Sequence, residues 1–317
     1  MFGRALGRRQ GRKPAGDRSA PRIALSPTSW GVSDVPDWGH QLDSERVLSD
    51  VWSLGIGAIE AGPPGFLPDR SDQARPLLRR HWLRVIAGEA HAVLHHHDPR
   101  GSELAHVDGH ASWLAAVGAE TLVLTAIPPR DEGSRSDSTL GSSGWARLLH
   151  MIGSVEHACS RHRLRLAVMP RHGSMIQGPA EIESLLVGTE AGLCLDVGHL
   201  VLLGADPLEV LELAAGRIQH VRLNDVDRDL AARVREGGLA YAQAVGMGLF
   251  KPLGSGDARV ERVVEGLRRA RYRGWYSIQE EVRLTSQLDD PLPRVKRSLD
   301  YAKPMVGVAP PIGRPRR

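Results

Sequence analysis

Two short apolar runs, each ending in polar side chains, restrict the fold of this chain more than anything else in it. The first is Gly192-Leu-Cys-Leu-Asp-Val-Gly-His199, and the second, about twenty residues on, is Ile218-Gln-His-Val-Arg-Leu-Asn-Asp225. Between them, Asp206-Pro-Leu-Glu-Val-Leu-Glu-Leu-Ala-Ala repeats apolar residues at helical spacing. Strand, helix, strand, with the chemistry at the strand ends, is the pattern of a parallel α/β protein, whose functional groups gather at the carboxyl ends of its strands. Asp196, His199, His220, Arg222, Asn224 and Asp225 are therefore expected to face one pocket.

The same alternation runs along the chain. Strand candidates are Ile23–Ser26, Ala58–Ala61, Leu83–Ala87, Thr121–Thr125, Leu164–Met169, Leu193–Asp196, His220–Leu223 and Trp275–Gln279. Amphipathic stretches fall between them at Ser44–Leu54, Leu104–Val117, Trp145–His162 and Val260–Arg271. Gly55, Gly118, Gly192 and Gly274 stand near helix ends or just before strands, where a left-handed residue can stop a helix. Eight βα repeats without hairpin signals favour a closed (β/α)8 TIM barrel over an open doubly wound sheet. No Gly-x-Gly-x-x-Gly follows the first strand and no Walker-type loop is present, which argues against a nucleotide fold. Two segments exceed ordinary loop length, Pro128–Ser143 and Asp227–Gly256. The second contains helical stretches at Leu230–Glu236 and Tyr241–Val245, and long loops on a barrel's active face often serve as lids.

A barrel of ~250 residues plus tails fits the length of 317 residues. The apolar runs are strand-length, far short of the ~20 residues needed to cross a bilayer. The amino terminus is basic but lacks the apolar core of a secretory signal. Cys159 and Cys194 both lie in apolar segments, which reads as buried free thiols and a cytoplasmic setting. Residues 1–22 carry a net charge of +6 and residues 303–317 a net charge of +4, against +4 for the whole chain, so residues 23–302 hold −6. The expected organisation is a basic, disordered tail over 1–22, a barrel domain over 23–302, and a Pro/Arg-rich tail over 303–317. An acidic body argues against nucleic acid as a partner.

Several motifs carry a family resemblance over about residues 23–302. They are Trp30-Gly-Val-Ser-Asp-Val-Pro-Asp-Trp-Gly39, Glu60-Ala-Gly-Pro-Pro-Gly-Phe-Leu-Pro68, the Asp196–His199 turn and the His-Val-x-Leu-x-Asp run at 220–225. Leu230-Ala-Ala-Arg-Val-Arg-Glu-Gly-Gly, Phe250-Lys-Pro-Leu-Gly-Ser-Gly256 and Gly274-Trp-Tyr complete the set. In this order and spacing the chain resembles the xylose isomerase-like TIM barrels, the sugar phosphate isomerase/epimerase superfamily, and within it the inosose dehydratases. The resemblance implies an isomerase or lyase that removes a proton next to a carbonyl in a polyol or cyclitol. It also implies a divalent ion, Mn²⁺ or Co²⁺, that polarises the hydroxyl/ketone pair. Barrels of this kind often pair, which admits a homodimer.

The resemblance implies ligands from the fifth to the eighth strands, a Glu or His, an Asp, a His and a Glu. The matching positions here are Met169, Asp196, Arg222 and Gln279. Asp196 and Gln279 remain as oxygen donors, whereas a thioether is a poor ligand for a hard ion and a guanidinium repels one. Reaching Glu280 instead of Gln279 would cost the strand register, because successive residues point to opposite faces. A slip on the fifth strand would offer His172. The preferred reading is that Arg222 pairs with Asp196 and supplies the missing positive charge.

Glu60, Asp196, His199, Arg222 and Gln279 form the expected catalytic set. Trp30, Arg171, His220, Asn224, Asp225 and Lys251 form the expected substrate-binding set, with Trp38 beside Trp30 as an apolar wall for a ring. The His95-His96-His97-Asp98 tract looks metal-like, but adjacent side chains do not converge on one ion. The alternative to catalysis is a divergent, metal-free barrel that binds a small anionic or sugar-like ligand.

Overall fold

The computed structural model describes residues 22–98, 100–129, 140–214 and 216–306. Nine parallel strand segments form one sheet: β1 (Arg22–Leu25), β2 (Ala58–Ile59), β3 (Arg84–Val85), β4 (Ala87–Ala92), β5 (Thr121–Ala126), β6 (Arg165–Val168), β7 (Gly192–Asp196), β8 (Ile218–Leu223) and, after two short strands outside this sheet, β11 (Trp275–Ile278). The order is β3-β2-β1-β11-β8-β7-β6-β5-β4. The two ends of that order are consecutive pieces of one strand, interrupted only at Ile86. Ile86 N–H donates to Ile59 O at 3.0 Å, and Ile86 O accepts from Glu120 N at 2.9 Å, so this residue closes the ring. The result is an eight-stranded TIM barrel.

Helices α1 (Ser44–Ser53), α3 (Ser102–Val117), α4 (Ser142–Arg161), α7 (Pro207–Leu213) and α10 (Val260–Arg269) match the amphipathic stretches read from sequence. Their apolar faces turn inward; Val260, Val263, Val264 and Leu267 of α10, for instance, are all buried. Helices α2 (Ser71–Arg80), α5 (Pro179–Gly188), α6 (Val197–Leu202) and α11 (Leu292–Val306) were not foreseen. Pro76 inside α2 reads as a helix breaker. α6 has only six residues, too few to show a period. α11 runs to Val306, past the expected domain limit at residue 302. The basic tails up to residue 21 and beyond 306 lie outside the described residues, as does most of the long segment at 128–143.

Gly55 and Gly118 adopt the left-handed conformation at the ends of α1 and α3, with φ of +74° and +93°. Gly192 does not. It starts β7, where an added Cβ would lie 2.7 Å from Leu166 O.

The lower barrel interior is filled by small side chains, among them Ala24, Ala58, Ala167 and Cys194, together with Val123 and the indole of Trp275. Arg84 stacks its guanidinium 4.3 Å from that indole's centroid. Above them, on the side where the strands end, charged side chains such as Glu60, Glu89 and Arg222 take over the interior. The Asp227–Gly256 segment caps part of that end with α8 (Arg228–Arg235) and α9 (Tyr241–Gly246). β9 (Asp225–Val226), just before this segment, pairs antiparallel with β10 (Phe250–Lys251) within it, the one antiparallel ladder among the named strands and one the sequence did not signal. No described helix is long and apolar enough to cross a membrane.

Candidate active site

A cavity of about 300 Å³ opens at the carboxyl end of the barrel. Its floor is a chain of alternating charges. Glu60, just after β2, receives a two-pronged contact from Arg222 on β8: Nη2 to Oε2 at 2.7 Å and Nε to Oε1 at 3.2 Å. Arg222 Nη1 reaches Glu89 Oε2, on β4, at 3.1 Å. Glu89 Oε1 lies 3.3 Å from Arg171 Nη1, and Arg171 Nη2 lies 3.5 Å from Glu281 Oε1. The sequence Glu60, Arg222, Glu89, Arg171, Glu281 thus crosses the barrel mouth with each acid next to a guanidinium.

Neighbours complete the chain. His220 Nε2 contacts Glu60 Oε1 at 2.9 Å. Thr125 Oγ1 donates to Glu89 at 2.9 Å, and His91 Nε2 lies 2.8 Å from the same carboxylate. Glu281 takes His199 Nε2 at 3.0 Å and the Tyr241 hydroxyl at 2.7 Å. Tyr241 comes from α9, where its ring packs near those of Trp38, His172 and His199.

Burial alone would push these carboxyls up. For Glu60 the charge of Arg222 and the hydrogen bond from His220 outweigh burial and bring it to about 2. Burial likewise raises Glu281, but Arg171 and His199 bring it to about 2. Glu89 lies well below its ordinary value, because Arg222 and His91 overcome its burial. Burial disfavours the charged form of His91, yet the Glu89 charge and contacts with Asp34 and Glu89 lift it to about 9. Its Nδ1 lies 3.5 Å from Asp34 Oδ2. His110, on α3, lines the same cavity; burial lowers it, and its Nε2 is buried without a hydrogen-bond partner.

Of the residues expected from sequence, Glu60, Arg171, Arg222 and Gln279 line this cavity, as does Trp38. The others sit elsewhere for identifiable reasons. The expected Arg222–Asp196 pair is corrected: the two are register partners across β7 and β8, but Arg222 turns to Glu60 and Glu89. Asp196 is drawn instead to the amino terminus of α6, where its Oδ1 accepts from His199 N at 3.1 Å and from Asn224 Nδ2 at 2.8 Å. Asn224 also accepts from Gly198 N, so it braces this turn rather than facing a substrate.

His199 and His220 stand behind Glu281 and Glu60, both fully buried. Asp225 is a loop clamp: its carboxylate accepts from the N–H groups of Val226, Gly254, Gly256 and Ala258. Lys251 pairs with Asp227 at 3.3 Å on the rim of the insertion. Trp30 is a core residue, with no exposed surface, and its indole donates to Asp50 at 3.0 Å. Glu280 points away from the cavity to Arg294 and Ser298 of α11, as strand alternation requires.

Sequence reasoning passed over Glu89, His91, Asp34 and Glu281. Glu89 and His91 alternate with alanines beyond the point where the third strand was ended, and Glu281 shares its direction with Gln279 by strand period.

The four positions that the resemblance gives to metal ligands do not fit a hard divalent ion. Arg222 Nη1 stands 2.9 Å from Met169 Sδ, so a cation and a thioether hold that space. Asp196 Oδ2 and Gln279 Oε1 are buried without donors, which leaves two oxygens against a buried guanidinium. At 4 Å and an effective dielectric of 20, a divalent ion and a guanidinium repel by about 8 kcal/mol. Among the described residues, no three His, Cys, Asp or Glu side chains are grouped to hold an ion.

A family model for the xylose isomerase-like TIM barrel matches residues 48–305. The chain belongs to that family. Among curated relatives of this barrel, it is 27% identical over 267 residues to the rhizopine catabolism protein MocC of Rhizobium meliloti, covering 82% of this chain and 81% of that one. It is 26% identical over 270 residues to an inosose dehydratase of Geobacillus kaustophilus, covering 82% and 87%. Two solved structures show the same fold. One is the IolI protein with a bound zinc atom, at a TM-score of 0.67 and 12% identity over 90% of this chain and 98% of that one. The other is 3-keto-D-glucoside 4-epimerase from E. coli, at a TM-score of 0.64 and 13% identity over 90% and 99%.

Proposed function

We propose that this barrel processes a cyclitol or sugar that carries a carbonyl group, by removing the proton on the adjacent carbon. The observation that carries this reading is the cavity itself: a ring-sized space where Arg171, His91 and Glu281 face in from different elements, with Trp38 on the wall. Curated relatives that are inosose dehydratases, and an epimerase of the same fold, point to the same substrate class.

Each residue has a part in this scheme. Arg171 is the cation best able to reach a ligand, because its contact with Glu281 is its loosest, at 3.5 Å. Turned to the substrate carbonyl, it stabilises the enolate oxygen. Glu281 then loses a positive neighbour, becomes more basic and takes the carbon-bound proton. His91, held protonated to about 9, returns a proton to a departing hydroxyl, and water leaves. For an epimerisation Glu281 keeps the proton it took, and an acid on the other side, for which His91 is the candidate, delivers a proton to the opposite face of the same carbon.

One observation favours a second reading, a barrel that binds such a ligand without catalysis. Glu60, Glu89 and Glu281 all lie far below the ordinary carboxyl range, which makes each a weak base. Incubation with inosose in D2O separates the two. Deuterium entering the carbon next to the carbonyl, seen by NMR, supports catalysis. Binding with no exchange leaves the binding role alone.

A further inference from the structure

We infer that Arg222 is the resident cation of this barrel mouth and that the protein works without a divalent ion. The inference deepens the reading of the same site but does not depend on its substrate, since ion binding is measured with the protein alone.

Three observations converge on it. First, the guanidinium is fully engaged. Nε and Nη2 hold Glu60, and Nη1 holds Glu89 at 3.1 Å and the Met169 sulfur at 2.9 Å. Its side chain is only 3% exposed. An entering ion would have to displace a planar, bidentate, desolvated partner, which is a far stronger obstacle than displacing water.

Second, the carboxylates are already committed. Glu60, Glu89 and Glu281 each lie beside a guanidinium, and Asp34, the other cavity acid, faces His91 at 3.5 Å, so none of the three glutamates awaits a counter-charge. Third, the two oxygens left without donors, Asp196 Oδ2 and Gln279 Oε1, carry at most one negative charge between them. Hard divalent ions need several charged or carbonyl oxygens together. The neighbour with a bound zinc atom shows that the fold admits an ion, so any exclusion of one here has to come from this chain's own side chains.

The test begins with elemental analysis of protein expressed in manganese-, cobalt- and zinc-supplemented medium, followed by calorimetric titration with each ion. The expected result for wild type is no ion held in 1:1 ratio in the barrel mouth. A 1:1 ion with micromolar or tighter affinity that is lost in both Asp196→Asn and Gln279→Met would overturn the inference. An ion that survives both substitutions and also Glu89→Gln and Glu281→Gln lies elsewhere and agrees with it; one lost in either glutamine variant would overturn it as well.

A gain-of-binding variant gives the converse arm. Arg222→His combined with Met169→Glu and Gln279→Glu is expected to bind Mn²⁺ or Co²⁺ at least 100-fold more tightly than wild type. If that variant does not fold, the wild-type titration still decides. Deuterium exchange with inosose, where it occurs, is expected to persist after EDTA treatment. Exchange abolished by EDTA and restored by Mn²⁺ would refute the metal-free reading while leaving the proton-abstraction reading intact.

Discussion

Arg222 meets Glu60 edge-on, with two near-parallel bonds of 2.7 and 3.2 Å between strands that lie on different sides of the barrel axis. This pair welds β8 to the end of β2 through the interior, and it does so where both groups are almost entirely out of water. Removing one partner strands the other as a buried, uncompensated charge. Arg222→Met is therefore expected to lower unfolding free energy by about 3–5 kcal/mol. Urea denaturation measures it, and adding Glu60→Gln should return part of the loss. Additive losses in the double variant would show that the two residues do not act as a pair.

Stability should depend on pH from both sides. Glu60 and Glu281 fall from an ordinary 4.5 to about 2 on folding, so their contribution is present above pH 4.5 and fades as pH drops toward 2. His91 rises from 6.5 to about 9, so its contribution is complete below pH 6.5 and fades as pH rises through 9. Thermal denaturation is expected to show a plateau between about pH 4.5 and 6.5. In His91→Gln the alkaline decline should flatten while the acid decline stays.

Arg171 offers a cleaner probe of the cavity than Arg222, because it is less buried and its contacts are longer. Arg171→Lys keeps the charge but loses the planar fork. Affinity for inosose in calorimetry should drop at least 10-fold, with a smaller change in melting temperature than Arg222→Met causes. Unchanged affinity would remove Arg171 from the ligand's contacts.

Tyr241 ties the insertion to the mouth through Glu281. Tyr241→Phe removes one hydrogen bond to a charged acceptor, worth about 1.5–3 kcal/mol. Amide exchange should quicken across residues 238–248 and hardly change in the barrel strands. Uniform quickening would mean the contact supports the whole domain instead.

The barrel was legible because its signals are local. Apolar runs of strand length, amphipathic runs of helix length and their alternation place seven of the eight strand ends within about two residues. The third strand is the exception: Glu89 and His91 interrupt its apolar character, so the reading stopped at Ala87 while the strand continues to Ala92. Those two side chains are polar because they build the cavity, so function hid the strand.

Partner choice was the part sequence could not supply. Arg222 and Asp196 stand level on adjacent strands, which made their pairing the natural expectation. The outcome depends on the α6 amino terminus claiming Asp196 and on Glu60 and Glu89 reaching inward across the barrel, and neither is written in local spacing. Asp225 misled for a related reason. Its place at a strand end suggested substrate, yet main-chain groups from residues 254–258 surround it.

An aspartate that collects four backbone N–H groups behaves as a tethered internal anion, and the turn it organises is shaped before any ligand arrives. Asp225→Asn leaves some of those donors unanswered and should cost at least about 2 kcal/mol. That turn does not line the cavity, whereas Ser33, Asp34, Pro63 and Pro64 do, so under the proposed function the choice among ligands rests with those side chains.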